Sequence, residues 1–464
     1  MTRILALFLL LVLAGPAPAG ELDVAALDAL IARTVEEKNL VGLSAGILYE
    51  GRVVLAKGYG DRSLEPTAPV TEETLFAIGS VTKQFTCAAL FLLAEDGKLS
   101  ERDRVARFAP DLTRAGDVSL LDLGQHVAGY PDYYPLDFVD RAMARSRPPE
   151  EIVREFAGRP LDFEPGTRWS YSNTGYLILG IAIERASGLS FGAFLEKRIL
   201  APLGMTRTRY EPKRGEDGLS TGYTPFMLGE PTVAVPEGEG WIGAAGGLWS
   251  TPSDLLAWEL ALMDGKLLAP ASWSAMTAPR RLADGRSTKY GCGLSVRDDG
   301  AALVLSHGGA VSGFNARNTL VPATRSAVVL LANVDTAGSA FDAIMDAVLP
   351  KLMPPPNEGN APAIAGLPAL DAAMRLMRGL QSGDVDRVLL GEEFSAYLTP
   401  ERLLAAKASL SPLGAAKSAK IARTSERGGM EVTRVEFTFE RETVAASMYR
   451  SPDGLVQQFL VYRS

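Results

Sequence analysis

Two cysteines and two histidines are all that the 464 residues hold. His126 and His307 stand far apart with no His-Glu-x-x-His helix around either, and Cys87 and Cys292 form no Cys-x-x-Cys pair. Zinc hydrolysis therefore lacks its ligands, a catalytic thiol at Cys87 has no histidine near it in sequence, and neither metal nor cofactor is expected. Cationic charge is also short: 47 Lys and Arg stand against 55 Asp and Glu, a formal net charge of −8. No overall field draws such a chain to nucleic acid or an anionic membrane, which leaves a small molecule or peptide as the expected partner. The 46 Gly and 29 Pro follow no strict period. Without heptads or a repeat of 20 to 50 residues, collagen, coiled coils and solenoids are excluded as well.

Long apolar runs are scarce too. Ile4 to Ala14 is about half of the ~20 residues a spanning helix needs, so no stable membrane span is expected. With Arg3 ahead of it and the small residues Ala17-Pro18-Ala19 behind, the run reads as a cleaved signal peptide, residues 1–19. The expected location is the periplasm or the exterior, without a lipid anchor because no Cys lies near the cleavage point. An oxidising compartment permits a disulfide between Cys87 and Cys292. The expectation from the sequence is two buried free thiols.

The rest divides by pattern. Residues 23–39 carry helical periodicity, and Gly42–Tyr49 with Arg52–Tyr59 around Glu50-Gly51 form a hairpin signal. Ala302–Ser306, Asn315–Pro322 and Ser326–Ala332 read as strands, followed by a helix over Ser339–Leu352. Strands so distant in sequence must pair across the intervening helices. The expected fold is α+β: an antiparallel sheet flanked by helices with an inserted helical subdomain, over residues 20–353. Residues 354–366, with Pro354-Pro355-Pro356, read as a linker. Residues 367–464 follow as a small α+β domain, with helices at 367–380 and 400–410 and strands at 432–439, 444–449 and 455–462.

Three segments carry chemistry. Gly79-Ser80-Val81-Thr82-Lys83 opens an apolar helix from Gln84 to Glu95 and holds the one Ser-x-x-Lys of the chain. At a helix start, unpaired N–H groups and partial positive charge can hold an oxyanion, and the i, i+3 spacing brings the Lys83 amine to the Ser80 hydroxyl. A desolvated amine is neutral near pH 7 and can act as a base. Tyr171-Ser172-Asn173 follows Pro165-Gly166 and precedes a helix from Leu177 to Arg185. Tyr171 can relay protons, and Asn173 can bind Lys83 and a substrate amide. His307-Gly308-Gly309-Ala310 ends a strand. Its glycines admit a substrate, the Ala310 N–H is the second expected oxyanion donor, and the His307 ring is expected on the substrate or the Tyr171 hydroxyl.

Together these three motifs resemble the signature of the serine β-lactamase and penicillin-binding-protein superfamily, in its class C β-lactamase and D-peptidase/esterase branch. Gly42-Leu43-Ser44-Ala45-Gly46, Pro202-Leu203-Gly204-Met205 and Ala245-Gly246-Gly247-Leu248 support the resemblance in order, over residues 22–352. It implies a β-lactamase-like hydrolase with an acyl-enzyme on Ser80, Lys83 and Tyr171 as the proton-handling pair, and Ser80 and Ala310 as oxyanion hole. Asn173, His307, Gly308 and Gly309 would bind substrate. Whether the amine or the phenol is the base stays open.

Two departures matter. The third motif is His307-Gly308-Gly309 where β-lactamases of this class have Lys-Thr-Gly, so a carboxylate meets a weaker partner and amide or ester cleavage, of D-amino-acid peptides or esters above all, ranks above β-lactam hydrolysis. Leu123-Gly124-Gln125-His126 lacks the hydroxyls relatives carry there, and His126 is kept out of the site. A penicillin-binding sensor without turnover is the alternative of another class. The Gly-x-Ser-x-Gly matches at Ser44 and Ser190 fail as α/β-hydrolase elbows, since neither has a strand before and a helix after it. The loop from Tyr130 to Asp140, with Tyr130, Tyr133, Tyr134 and Phe138, is expected to wall the pocket.

Overall fold

The computed structural model describes residues 22–136, 138–225, 229–298, 302–354 and 363–463. Residues 1–19, read as a signal peptide, and most of the stretch read as a linker lie outside the described residues. Two compact units divide between Met353 and Pro354.

The first unit is built on helix α1 (Val24–Glu37), strands β1 (Gly42–Tyr49), β2 (Arg52–Leu64) and β3 (Thr67–Pro69), and, far along the chain, β4 (Ser295–Asp298), β5 (Leu303–Val311), β6 (Phe314–Val321) and β7 (Ser326–Ala332). Their order in one antiparallel sheet is β3-β2-β1-β7-β6-β5-β4. The first hairpin and the last three strands meet through β1 and β7, with Ala45 opposite Leu330. Period-2 alternation explains why β7 is apolar throughout: Val328, Leu330 and Ala332 join one core cluster while Ala327, Val329 and Leu331 join another. Helix α1 and the terminal helix Gly338–Leu352 cover the first face, through Ile31, Phe341, Ile344 and Val348. Helix Pro252–Met263 covers the second, so close that a Cβ at Gly46 would stand 2.8 Å from Pro252 Cβ.

The helical subdomain centres on helix Thr82–Glu95, buried from Thr82 to Leu93, and on helix Asn173–Ser187, buried from Thr174 to Ile183. Buried around most of their surface, both are core helices. Among the described residues no single helix is long and apolar enough to cross a membrane.

The cysteines correct the expectation of free thiols: Cys87 and Cys292 are joined in a disulfide, with Cα atoms 5.7 Å apart. Their sequence separation of 205 gave no hint of that approach, which the fold creates by packing the Tyr290–Gly293 loop against helix Thr82–Glu95.

The second unit packs helices Ala369–Ser382, Glu392–Tyr397 and Pro400–Leu410 with a four-stranded antiparallel meander, Ser418–Arg427, Met430–Thr438, Thr443–Arg450 and Val456–Arg463. Thr399 caps the helix at Pro400, its side chain accepting from the Arg402 N–H. The strand Ser418–Arg427 was not foreseen. It is an edge strand, largely exposed, and lacks the alternating burial that marks an inner strand.

Candidate active site

Ser80 sits in a 3-10 turn, Gly79–Val81, that runs straight into helix Thr82–Glu95. This turn lies beside the outer edge of β5, which among the described residues pairs with β4 only from Leu303 to Ser306. From His307 onward that edge faces the turn. Two glycines permit the approach. Gly79 has φ +50°, and a Cβ there would stand 2.9 Å from the Ala310 nitrogen; one at Gly309 would collide with the Ile78 carbonyl oxygen. The Ser80 turn and the Ala310 backbone are thereby brought together, as two oxyanion donors require.

Lys83 follows one turn into the helix and is fully buried. Its Nζ lies 3.0 Å from Ser80 Oγ, 2.8 Å from Asn173 Oδ1 and 2.8 Å from the Ala245 carbonyl oxygen. Burial pushes the amine down to about 7, partly opposed by the Asp132 carboxylate. The Tyr171 hydroxyl donates to Ser80 Oγ at 2.7 Å, and burial holds its pKa well above that of an ordinary phenol. Asn173 is the first residue of its helix and is oriented by Asp132, whose Oδ1 accepts the Asn173 N–H at 2.9 Å and whose Oδ2 accepts from Nδ2 at 3.3 Å. Ser80, Tyr171, Asn173, His307, Gly308, Gly309 and Ala310 all line one cavity of about 1440 Å³, and Lys83 lies beneath its floor.

His307 departs from expectation. Its ring bonds neither the Tyr171 hydroxyl nor open space: Nε2 is 2.7 Å from the Tyr290 hydroxyl, and Nδ1 is 2.5 Å from the Gly308 carbonyl oxygen. A carbonyl only accepts, so Nδ1 carries the proton and Nε2 accepts from Tyr290. Burial and the Lys83 charge push the imidazole down to about 4, which leaves it neutral with both nitrogens engaged. It gives the cavity a shaped wall rather than a cation. His126, kept out of the site, packs its ring 4.3 Å from that of Tyr171 and accepts the Ser172 N–H at 3.1 Å through Nδ1. Of the loop expected to wall the pocket, Tyr133, Tyr134 and Phe138 line the cavity. Tyr130 does not: it is buried with its hydroxyl donating to the Thr113 carbonyl.

Asp132, Tyr290 and the Ala245 carbonyl escaped the sequence reading. Asp132 lies inside the aromatic loop that was singled out, but one acid in a loop has no spacing to read. Tyr290 precedes Gly291-Cys292-Gly293, and its partner lies 17 positions away on β5. Neither Ser44, buried within β1, nor Ser190, the N-cap of a short helix, lies on this cavity.

Residues 27–349 match the family described as Beta-lactamase. The chain is 28% identical over 377 residues to Penicillin-binding protein 4* of Bacillus subtilis (strain 168), a match covering 76% of this chain and 82% of that protein. It is 30% identical over 311 residues to a D-aminopeptidase of Gluconobacter oxydans (strain 621H), covering 65% of this chain and 57% of the relative, so the match spans less than two thirds of that enzyme's length. Among solved structures, the octameric penicillin-binding protein homologue from Pyrococcus abyssi superposes with a TM-score of 0.62 at 23% identity over 96% of each chain. The D-amino acid amidase from Ochrobactrum anthropi SV3 does so with a TM-score of 0.60 at 24% identity, over 70% of this chain and 99% of the other. At these identities the structural likeness concerns the fold.

Proposed function

The chain belongs to the beta-lactamase family as a serine hydrolase of that fold, and from this premise we propose that it cleaves an amide or ester bond, of a D-amino-acid peptide, amide or ester, through an acyl-enzyme on Ser80. One observation carries the reading: a single hydroxyl oxygen, Ser80 Oγ, stands within hydrogen-bond reach of both a fully buried amine and a half-buried phenol.

The chemistry follows from those contacts. With pKa near 7, about half of Lys83 is neutral at neutral pH. The neutral amine donates to Asn173 Oδ1 and the Ala245 carbonyl, which leaves its lone pair toward the Ser80 hydroxyl. Lys83 takes the Ser80 proton as Oγ bonds to the substrate carbonyl carbon, and the oxygen that becomes negative is held by the Ser80 and Ala310 N–H groups. The phenol, with its raised pKa, stays protonated and serves as conduit: it gives its proton to the departing nitrogen or oxygen and takes in return the proton that Lys83 removed from Ser80. Water then attacks the ester on Ser80, and the same groups carry its proton in reverse. Lys83 is thus the base and Tyr171 the acid that the leaving group meets.

A neutral His307 with both nitrogens engaged supports amides and esters over β-lactams, whose carboxylate would meet an uncharged ring at that position. The D-aminopeptidase and D-amino acid amidase names among the relatives support the D-configured substrate, and with it the D-peptidase/esterase branch. The disulfide supports export, since such bonds persist in oxidising compartments. N-terminal sequencing of the cell-fractionated protein tests export, and a mature chain starting near Gly20 is the expected result.

The function is tested by mass mapping after separate incubation with a fluorophosphonate and a penicillin, alongside turnover of D- and L-amino-acid p-nitroanilides, a p-nitrophenyl ester and a chromogenic cephalosporin. Label on the Ser80 peptide, with D-anilide or ester turnover exceeding cephalosporin turnover, is expected. Label elsewhere, or full activity in Ser80→Ala, refutes the nucleophile. A penicillin adduct without turnover of any substrate would instead make the protein a sensor.

A further inference from the structure

Single exposed apolar side chains are common on any protein, but several around one cavity mark what that cavity receives. Leu136, Phe138 and Val235 are 52%, 61% and 60% exposed, and all three line the catalytic cavity with the half-buried Val139. They come from two segments that one carboxylate joins. Glu237 Oε1 accepts from the Tyr134 hydroxyl at 2.8 Å and from the Ser312 N–H at 3.0 Å, and Ser312 Oγ donates to the Val235 carbonyl at 2.5 Å. The apolar lobe is therefore fixed to Ser312, which lies two residues beyond Ala310 in the turn at the end of β5.

The direction of the strand assigns the lobe to one half of the substrate. The leaving group takes its proton from Tyr171, and Tyr171 stands beside His307, with ring centroids 6.4 Å apart. The half that leaves thus lies toward the His307 end of β5. The acyl half, which stays on Ser80, runs past Ala310 toward Ser312 and the lobe. The cavity's volume of about 1440 Å³ exceeds the roughly 300–1,000 Å³ of most small-ligand pockets, which leaves room for a long acyl group.

We propose that Leu136, Phe138, Val139 and Val235 form an acyl subsite that selects substrates whose acyl half carries an extended apolar group. The proposal rests on Ser80 being the nucleophile and adds the chemistry of what it acylates. Burying even one methylene in an apolar pocket is worth about tenfold or more in kcat/KM. An open lobe recovers part of that for each carbon.

The test is kcat/KM of the full chain for p-nitrophenyl acetate, butyrate and octanoate. The octanoate-to-acetate ratio is expected to reach about tenfold or more, and to fall toward unity in Phe138→Ser/Val235→Ser. The ratio does not depend on the fraction of folded enzyme, so a poorly folding variant still reports. Val388→Ser changes a still more exposed apolar residue of the second unit and is expected to keep the wild-type ratio. A flat or falling series in a wild type that turns over acetate overturns the subsite alone, as does a double variant that keeps the wild-type ratio. Acetate turnover undiminished in Ser80→Ala overturns the nucleophile, and the subsite with it.

Discussion

Lys83 is the residue on which the chemistry turns, because a buried amine is a base only where burial has removed most of its tendency to hold a proton. With both imidazoles held neutral by burial, the acid limb of activity belongs to Lys83. The enzyme needs the amine neutral, so kcat/KM should rise with pH through an apparent pKa of about 7. Asp132 favours the ammonium, so Asp132→Asn should move that limb to lower pH, while also loosening Asn173. A pH–rate profile that shifts upward or stays in place speaks against the assignment. Tyr290 acts one step back as a positioning residue for His307. With only two histidines in the chain, nitrogen NMR can follow both rings. Tyr290→Phe should leave Nε2 without its donor, mix the tautomers and lower kcat/KM by about tenfold, the worth of one neutral hydrogen bond. An unchanged Nδ1–H ring in that variant would refute the role. Ser80, Lys83, Tyr171 and Asn173 were readable because unique short motifs fix them. The Tyr290 contact was not, since it exists only where a loop packs against β5.

At the scale of elements, a buried polar network fastens the nucleophile's helix to the sheet. Gln84, next to Lys83, donates through Nε2 to Asn318 Oδ1 on β6 at 2.8 Å and accepts from Trp258 Nε1 at 3.0 Å, while Asn318 Nδ2 donates to Glu259 on helix Pro252–Met263. Asn318 Oδ1 also accepts the His307 N–H at 3.3 Å, so one side chain couples the helix to the strand that carries the oxyanion donor. Burial pushes Glu259 up to about 8, and the fold keeps its protonated form. A group raised in the folded state contributes fully below its ordinary pKa and loses that contribution as pH climbs through the raised one. The thermal midpoint of the wild type should therefore fall relative to Glu259→Gln between pH 5 and 8.5, by about 5 °C. Parallel curves from differential scanning calorimetry would contradict it. Neither this helix nor the role of its acid was read from the chain, because the partner of Glu259 comes from a strand 59 positions away and that of Trp258 from a helix 174 positions away.

Across the whole molecule, every residue assigned to the site belongs to the first unit, and the disulfide closes the longest covalent loop within it. A cross-link spanning 205 positions restrains the unfolded chain by about 5 kcal/mol on the chain-entropy view. Cys292→Ala, or reduction in mild denaturant, should lower the midpoint of the first unit while leaving Ser80 open to the fluorophosphonate below that midpoint. A midpoint that does not move would show that the bond constrains little.

What the amino-acid order determined by itself was local: which segments turn into helices and strands, and which short spacings put a hydroxyl and an amine one helical turn apart. Those follow from periodicity and from contacts three or four residues long. Only the tertiary structure decided that a phenol 91 positions from Ser80 would reach its oxygen, that two distant sulfurs would bond, and that His307 would turn to Tyr290 instead of the Tyr171 hydroxyl. Such contacts depend on how whole elements pack, and packing is a property of surfaces that one linear string does not bring face to face.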